Sequence, residues 1–345
     1  MSIKEANAPT HSQIKDQIAS LCKPPGSLGD IEQVAIQLCT IQRTLHPKVN
    51  PRSVTVFAAD HGVTKEGVSA WPSSVTRSVV QMMQSARTAS GAFAGVLDCE
   101  YEVVDVGLHM PLRQYDDIVL DRAKRRGTGN LRIEAALSED DYQYAWNVGR
   151  ERATVAVNAG SRLLIGGEMG IGNTTAATCL IALLCDVHEN DSVDSIVGTG
   201  AGADESQLAK KRMVVRDSIQ RVRLLGSLTP QQIGCHVGGL EIVSLAGYYA
   251  TGANLGVTLL LDGVIATSAA LLAEAVQSGT VQYMIAGHHS PEPAHQIALK
   301  QLGLEPIQDL QMRLGEATGA LASVPILDLA VSMMDKMAFI EELQP

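Results

Sequence analysis

Short apolar runs, each about one strand long, recur along this chain and alternate with stretches of helical character. The runs are mostly apolar rather than alternating in polarity, as expected for strands buried on both faces of a parallel sheet. Strands that alternate with helices form right-handed βαβ units. The pattern therefore predicts an α/β fold with a Rossmann-like, doubly wound, mostly parallel sheet of about six strands. The predicted strands lie within 53–62, 101–107, 162–167, 194–202, 256–263 and 281–289.

The helical signals lie between these runs and at both ends of the chain. Segments 139–160, 204–225 and 264–278 have helical spacing or composition, and 204–225 begins with acidic residues and is basic thereafter, which suits a helix macrodipole. The first 50 and last 35 or so residues also look helical, with a kink expected at Pro325. We expect residues 1–50 and 305–345 to form a small helical domain beside a large α/β nucleotide-binding domain of residues 51–304.

The charge and composition exclude some partners. The 345 residues carry a formal net charge of −10 and only 3% aromatic residues, which argues against binding to nucleic acid or to an anionic membrane. Stretch 242–261 is uncharged, but Gly247, Gly252, Asn254 and Gly256 interrupt it, so helix, turn and strand explain it better than a membrane span.

The amino terminus and the cysteines indicate the cellular compartment in which the protein works. The amino terminus is polar and lacks an apolar signal region, and none of the six cysteines forms a C-x-x-C pair. Reduced core cysteines in a cytoplasmic protein are the simplest interpretation.

Glycines and polar residues follow the predicted strands, where an open α/β sheet binds its ligands. Stretch 167–175 reads GEMGIGNTT and opens a helix, so free N–H groups and the helix dipole would form an anion site there. Neither a P-loop lysine nor the dinucleotide glycine spacing is present, and the loop could instead serve only tight strand-to-helix packing.

GTGAGAD at 198–204 repeats the pattern, and Lys211 in the next helix could add a charge to a bound phosphate, although Lys210 and Lys211 also fit a solvated helix face. The predicted phosphate and nucleotide contacts are Gly170, Gly172, Asn173, Thr174, Thr175, Gly198, Gly200, Gly202, Lys211, Asp262 and Ser290.

Two glutamates are candidate catalytic residues. Glu168 lies among the glycines of 166–172, and Glu316 lies in a Gly-Glu-Ala-Thr-Gly stretch that opens an apolar helix. Glu316 could also be only a dipole-matched residue at a helix start.

A metal site is the weaker interpretation of the histidines. No H-x-x-x-H or H-E-x-x-H pair is present, and the candidate ligands come from distant strands, so we predict no metal and no cofactor. These side chains would instead hydrogen-bond loops or substrate hydroxyls; they are Asp60, His61, His288, His289 and His295.

Several long motifs, in order, carry a resemblance to one family. They are KPPGSLG at 23–29, ADHGV at 59–63 with EGV at 66–68, GEMGIGNTTAA at 167–177, VGTGAGAD at 197–204, LLLDG at 259–263 and RLGEATGA at 313–320. With them the chain resembles the nicotinate-nucleotide:dimethylbenzimidazole phosphoribosyltransferase family over nearly its whole length.

The resemblance implies a reaction and its residues. An aromatic base would attack C1′ of nicotinate mononucleotide, nicotinate would leave, and an α-ribotide for cobamide nucleotide-loop assembly would form. The family's general base matches Glu316, and its second glutamate matches Glu168. The leaving pyridinium departs as a neutral ring nitrogen, so the chemistry needs a base but no acid. The resemblance also implies a dimer, either of this chain or with a related one.

The acceptor pocket departs from the family pattern. After EGV the family usually has small or polar residues, then Pro, whereas this chain reads SAWPSSVTRSVVQMM. The acceptor could be dimethylbenzimidazole, another benzimidazole, a purine or a phenol. Alternative functions are a nucleotide N-glycosidase, a catalytically weak paralogous partner subunit and a metal hydrolase. The expected acceptor-pocket residues are Asp60, His61, Trp71, Pro72, Val79, Met82, Leu314 and Gly315.

Overall fold

A six-stranded parallel sheet forms the centre of the protein in the computed structural model, which describes residues 8–115, 117–187, 193–200 and 202–343. The strands are β1 (Arg52–Ala59), β2 (Glu100–Gly107), β3 (Val119–Asp121), β4 (Leu163–Met169), β5 (Thr258–Leu261) and β6 (Met284–Ala286). They pair in the order β3-β2-β1-β4-β5-β6, and every described pairing is parallel. This is the strand order of the Rossmann fold, so the predicted fold class is confirmed.

Helices cover both faces of the sheet. Four of them begin with a reciprocal capping box, which explains why they start where they do. The described helices are α1 (His11–Ser20), α2 (Asp30–Gln42), α3 (Ser74–Met83), α4 (Ala89–Val96), α5 (Glu139–Asn158), α6 (Asn173–Leu184), α7 (Glu205–Arg223), α8 (Pro230–Val237), α9 (Leu240–Asn254), α10 (Val264–Val276), α11 (Pro293–Leu302) and α12 (Thr318–Lys336).

Alternate residues of the strands enter two different cores. Val54 and Val56 of β1 pack in one core with residues of α1, α2 and α12, whereas Phe57 packs in the other with residues of α5, α9 and α10. Helices from both chain ends thus meet over one sheet face. Whether they form a separate domain, with the boundaries at 50 and 305, stays a prediction.

One predicted strand is wrong. Residues 193–196 form a short 3-10 helix and 197–200 are irregular, while Ala201 lies outside the described residues. The sixth strand is instead β3, a three-residue edge strand that pairs with β2 and that the sequence did not predict. A glycine-rich segment offers few side chains to pack in a sheet, and a three-residue strand leaves almost no periodic signal.

Other predictions are confirmed. The segments predicted as helices at 139–160, 204–225 and 264–278 correspond to α5, α7 and α10, and 242–261 is most of α9, a turn and β5. Among the described helices, α12 alone has the length and apolar composition of a membrane span, but 56% of its most apolar window is buried inside the protein. Pro325 lies within it.

The strand order reverses between β1 and β4, which creates a crevice at the carboxyl end of the sheet. Asp60 and His61 follow β1, and Glu168 lies near the end of β4. The fold therefore brings these residues to the place where such sheets bind ligands.

Candidate active site

A cavity of about 250 Å³ opens at this switch point. Its wall contains residues from the ends of β4 and β6, the starts of α6 and α10, the segment around Trp71 and the segment before α12. The sequence-predicted residues that line it are Trp71, Val79, Glu168, Gly170, Gly172, Asn173, Thr174, Gly200, Ser290, Leu314, Gly315 and Glu316.

Glu168 is a buried carboxyl on the floor of this cavity. Only 4% of the residue is exposed, and the side-chain amide of Asn173 donates a hydrogen bond to its Oε2. Burial raises the pKa of Glu168 well above its usual range, and the charges of Asp262 and Glu241 raise it further. Its surroundings therefore favour the neutral form of this carboxyl more than water does.

Glu316 lies on a tight turn directly before α12. Gly315, Glu316 and Ala317 all have positive φ angles, of 84°, 59° and 65°. A Cβ atom on Gly167 of β4 would lie 2.8 Å from the backbone nitrogen of Ala317, so a glycine is needed there for the turn to approach the sheet.

The surroundings of the Glu316 carboxyl fix its position and raise its pKa. The hydroxyl of Ser90 donates a 3.2 Å hydrogen bond to its Oε2, and the residue is 6% exposed. Burial raises the pKa of Glu316 to about 6; the Ser90 hydrogen bond opposes this rise and the charge of Asp262 adds to it. A carboxyl of this kind is ionised at neutral pH and basic enough to accept a proton.

The start of α6 forms the polar wall of the cavity. Gly172 has a φ of 97° and precedes the first helical residue, Asn173, as the sequence predicted. Gly172, Asn173 and Thr174 all line the cavity, where the first N–H groups of a helix have no acceptor within the helix itself. The N–H groups of Asn173 and Thr175 already donate to the carbonyls of Gly170 and Gly172, so an anion here would be received by the remaining N–H groups and the positive end of the helix dipole.

Lys211 lies behind this wall rather than on it. Its Nζ donates to the carbonyl of Gly198 at 2.9 Å and to the hydroxyl of Thr174 at 3.0 Å, and the residue is 1% exposed. Burial lowers the pKa of Lys211, while the nearby Glu292 carboxylate opposes this. Lys211 is thus not a solvated surface charge. Its ammonium group contacts the hydroxyl of Thr174, a residue that lines the cavity.

Several predicted residues do not line the cavity. Asp60 accepts hydrogen bonds from the Ser73 hydroxyl at 2.5 Å and the His109 N–H at 2.8 Å, and His61 pairs with Glu241 at 2.6 Å in full burial. Asp60 thus ties two loops together, and His61 ties its own loop to the start of α9; a contact of either residue with the acceptor stays a prediction. The other predicted residues off the main wall are Pro72, Met82, Thr175, Gly198, Gly202, Lys211 and Asp262.

Two of these outlying residues have defined surroundings. Met82 lines a second, more open cleft together with Val79, Leu314 and Glu316. Oδ1 of Asp262 accepts from the N–H groups of Gly319 and Ala320 at the start of α12. A direct contact of Asp262 with a nucleotide stays a prediction.

Sequence reasoning missed several residues of the site. Glu292 accepts the N–H of Gly200 at 2.8 Å, and Arg313 donates to the carbonyl of Gly200 at 3.3 Å. Glu292 follows β6 closely and Arg313 is part of the RLGEATGA motif, so their positions offered a signal. Ser90 offered none, because 226 residues separate it from Glu316. The missed residues are Ser90, Thr199, His288 as a wall residue, Glu292 and Arg313.

Three of the candidate metal ligands lie together, with the ring of His295 6.2 Å from that of His288 and 5.9 Å from that of His289, but they do not converge on one point. Within the described ranges, no three or more His, Cys, Asp or Glu side chains gather as a metal site would require. His295 accepts the N–H of Ser290 at 2.9 Å, and burial lowers its pKa to about 3, so its ring is neutral.

Comparison with known proteins places this geometry in a family. A family model described as phosphoribosyltransferase matches residues 3–344. Nicotinate-nucleotide–dimethylbenzimidazole phosphoribosyltransferase of Chromobacterium violaceum is 42% identical over 324 residues, covering 94% of this chain and 92% of the relative. The chain belongs to the nicotinate-nucleotide–dimethylbenzimidazole phosphoribosyltransferase family. It is therefore a pentosyltransferase, as the resemblance implied.

Members from Thermus thermophilus extend the match to structure. The enzyme with the same name from this organism is 39% identical over 330 residues and covers 96% of both chains. A crystal structure described as CobT from Thermus thermophilus superposes with a TM-score of 0.91, covering 96% of this chain and 97% of that one. The family fold therefore extends over the whole site described above.

Proposed function

We propose that this protein transfers ribose 5-phosphate from nicotinate mononucleotide to an aromatic base, giving an α-ribotide for cobamide nucleotide-loop assembly. The acceptor class comprises dimethylbenzimidazole and related benzimidazoles, purines and phenols. The observation that carries the proposal is Glu316, a buried carboxyl with a pKa raised to about 6 that lines the same cavity as Glu168 and the start of α6. The names of the relatives support the nucleotide and the base.

The polar wall suits the 5′-phosphate. Gly172, Asn173 and Thr174 offer the amino terminus of α6, and Gly200 brings a second glycine loop beside it. The ammonium group of Lys211 lies 3.0 Å from the Thr174 hydroxyl, so it would add positive charge without contacting the ligand directly. A dianionic phosphate is favoured there by both effects.

The opposite wall suits a planar ring. Trp71, Val75, Val79, Met169 and Leu314 provide apolar side chains on the cavity side that leads to Glu316. Trp71 and Leu314 are 52% and 58% exposed, so a bound ring would cover apolar surface that faces solvent, without being selected by hydrogen bonds. This wall is compatible with each acceptor in the proposed class.

The reaction is a single displacement at C1′. The acceptor nitrogen or phenol oxygen forms a bond to C1′, the bond from C1′ to the pyridinium nitrogen breaks, and its electron pair remains on nicotinate. The acceptor proton passes to the Glu316 carboxylate, and configuration at C1′ inverts.

Glu168 would act on the sugar. Burial and nearby carboxylates favour its neutral form, whereas a bound pyridinium cation would favour the ionised form by direct attraction. The carboxylate would then stabilise the positive charge that develops at C1′.

We further infer that the protein works as a dimer, of this chain or with a related chain, in the cytoplasm. The six cysteines are free, which suits a reducing compartment. The dimer rests on the resemblance to the family.

Parallel reactions analysed by mass spectrometry test the function. Nicotinate mononucleotide would be incubated with the protein and dimethylbenzimidazole, adenine, phenol or no acceptor. We expect a ribotide phosphate with at least one acceptor, an equal amount of nicotinate, and the α configuration by NMR. Ribose 5-phosphate formed equally in every reaction would show an N-glycosidase. No consumption of the nucleotide under any condition would contradict the proposal and favour a catalytically weak partner subunit.

A further inference from the structure

The backbone that carries Glu316 adopts an unfavourable conformation. Glu316 and Ala317 are consecutive non-glycine residues with φ angles of 59° and 65°. Side chains disfavour the left-handed region, so such a turn persists only where neighbouring groups hold it. The Thr318 hydroxyl donates to the Gly315 carbonyl at 2.7 Å within the turn, and two side chains from other parts of the fold hold the turn and its carboxyl from outside.

Asp262 fixes the end of the turn. This buried carboxyl comes directly after β5, and its Oδ1 accepts from the N–H of Gly319 at 2.7 Å and of Ala320 at 3.0 Å. The first N–H groups of a helix need such an external acceptor. Asp262 therefore ties the start of α12, and with it the Glu316 turn, to the edge of the sheet.

Ser90 fixes the side chain. It is fully buried in the first turn of α4, and its hydroxyl donates to Oε2 of Glu316 at 3.2 Å. The hydroxyls of Thr88 and Tyr101 each lie 3.0 Å from the same Ser90 oxygen and hold it in turn. One carboxyl oxygen of Glu316 is thus anchored on the side of α4.

We propose that Ser90 and Asp262 are positioning residues for Glu316, Ser90 through its carboxyl oxygen and Asp262 through the turn that carries it. The proposal rests on the proposed role of Glu316 as the base. Neither Ser90 nor Asp262 lines the main cavity, whereas Ser90 bonds the Glu316 carboxyl and Asp262 bonds the helix start that follows its turn.

The two residues influence the ionisation of Glu316 in opposite directions. A hydrogen bond from Ser90 favours the carboxylate and lowers its pKa, whereas the negative charge of Asp262 raises it. Removing the Ser90 hydroxyl should therefore raise the pKa of Glu316, and removing the Asp262 charge should lower it. The other charged or titratable groups that face Glu316 or share a cleft with it are Arg87, Tyr101, Glu168, His288 and Arg313. All five remain in both variants, but Asp262→Asn also removes a charge that raises the pKa of Glu168 and that lies 3.4 Å from His288.

The pH dependence of kcat/KM tests the proposal. Glu316 must be ionised to accept a proton, so wild-type activity should fall as the pH drops through about 6. Ser90→Ala should move this acid limb to higher pH and Asp262→Asn to lower pH, each by about 0.5 pH unit or more. Asp262→Asn retains an oxygen that can accept the helix N–H groups, whereas Asp262→Ala does not and should also lower the Tm.

Matched controls carry the same chemical changes elsewhere. Asp328→Asn removes the same charge, but Asp328 pairs with Arg52 at the opposite end of β1. Ser85→Ala removes an exposed hydroxyl that bonds only to the Met82 carbonyl among its described contacts. Both controls should leave the acid limb in place.

A carbon-13 NMR titration of the glutamate carboxyls, without substrate, separates this proposal from the proposed function. The Glu316 signal would be assigned by its loss in Glu316→Gln. Opposite displacements in Ser90→Ala and Asp262→Asn would show that both groups act on Glu316, even if the rate profile did not follow and Glu316 were not the base. A Glu316 signal that moves or broadens further in Asp262→Ala than in Asp262→Asn would show that Asp262 also holds the turn. An unmoved Glu316 titration in both variants would overturn the proposal, whatever their activity.

Discussion

Gly315 and Glu168 lie so close that a Cβ atom on Gly315 would be 2.4 Å from Oε1 of Glu168. Gly315 also has a φ angle of 84°, which favours glycine. A residue without a side chain therefore lets the turn before α12 reach the end of β4. This approach brings Glu168 and Glu316 into one cavity.

Gly315→Ala should remove most activity by displacing the Glu168 carboxylate. The backbone strain alone should lower stability by about 1 kcal/mol, and the steric overlap adds to it. The control is Gly303→Ala, where φ is 67° but nothing lies within 4 Å of an added Cβ. Measured by kcat/KM and thermal unfolding, the control should lose stability but keep activity. Equal activity in the two variants would show that the contact with Glu168 does not matter.

Glu168→Gln tests the role of charge on the sugar. The empty protein should keep or gain thermal stability, because a neutral amide replaces a carboxyl whose pKa burial raises well above its usual range. Turnover should fall about tenfold or more, since the amide cannot become a carboxylate when the pyridinium binds. The measurements are Tm without ligand and kcat with saturating substrates. An unchanged kcat would show that Glu168 contributes no charge to the transition state.

Lys211→Met tests the buried charge behind the phosphate wall. We expect KM for nicotinate mononucleotide to rise about tenfold, with a smaller change in kcat, because the charge acts mainly on the bound phosphate. Lys210→Met is the control, since Lys210 is exposed on the same helix one residue earlier. Steady-state kinetics at fixed ionic strength would compare them. Identical KM values for both variants would contradict a role for Lys211 in phosphate binding.

The site was predictable where it depended on strand ends. Glu168, Gly170 and Ser290 follow or end apolar runs, and parallel strands bring their carboxyl ends to one edge, so their meeting in one cavity could be expected. The start of α6 was predictable from local chemistry, because Gly172 and Asn173 are typical of a helix start after a tight turn.

The rest depended on tertiary contacts that no local pattern encodes. The Ser90 hydroxyl meets Glu316 only because α4 and the turn before α12 pack beside each other. The burial of Lys211 likewise follows from the packing of α7 against the glycine loops. Helical spacing alone could not decide between a buried and a solvated Lys211. The edge strand β3 is too short to leave a periodic signal.

The rate of ribotide formation by Glu316→Gln, with nucleotide affinity measured on the same protein, tests the central claim most directly. The amide keeps the size of the side chain and cannot accept the acceptor proton. We predict that kcat falls by a factor of about a hundred or more while the Kd for nicotinate mononucleotide stays within about twofold of wild type. Wild-type kcat in this variant would contradict Glu316 as the base.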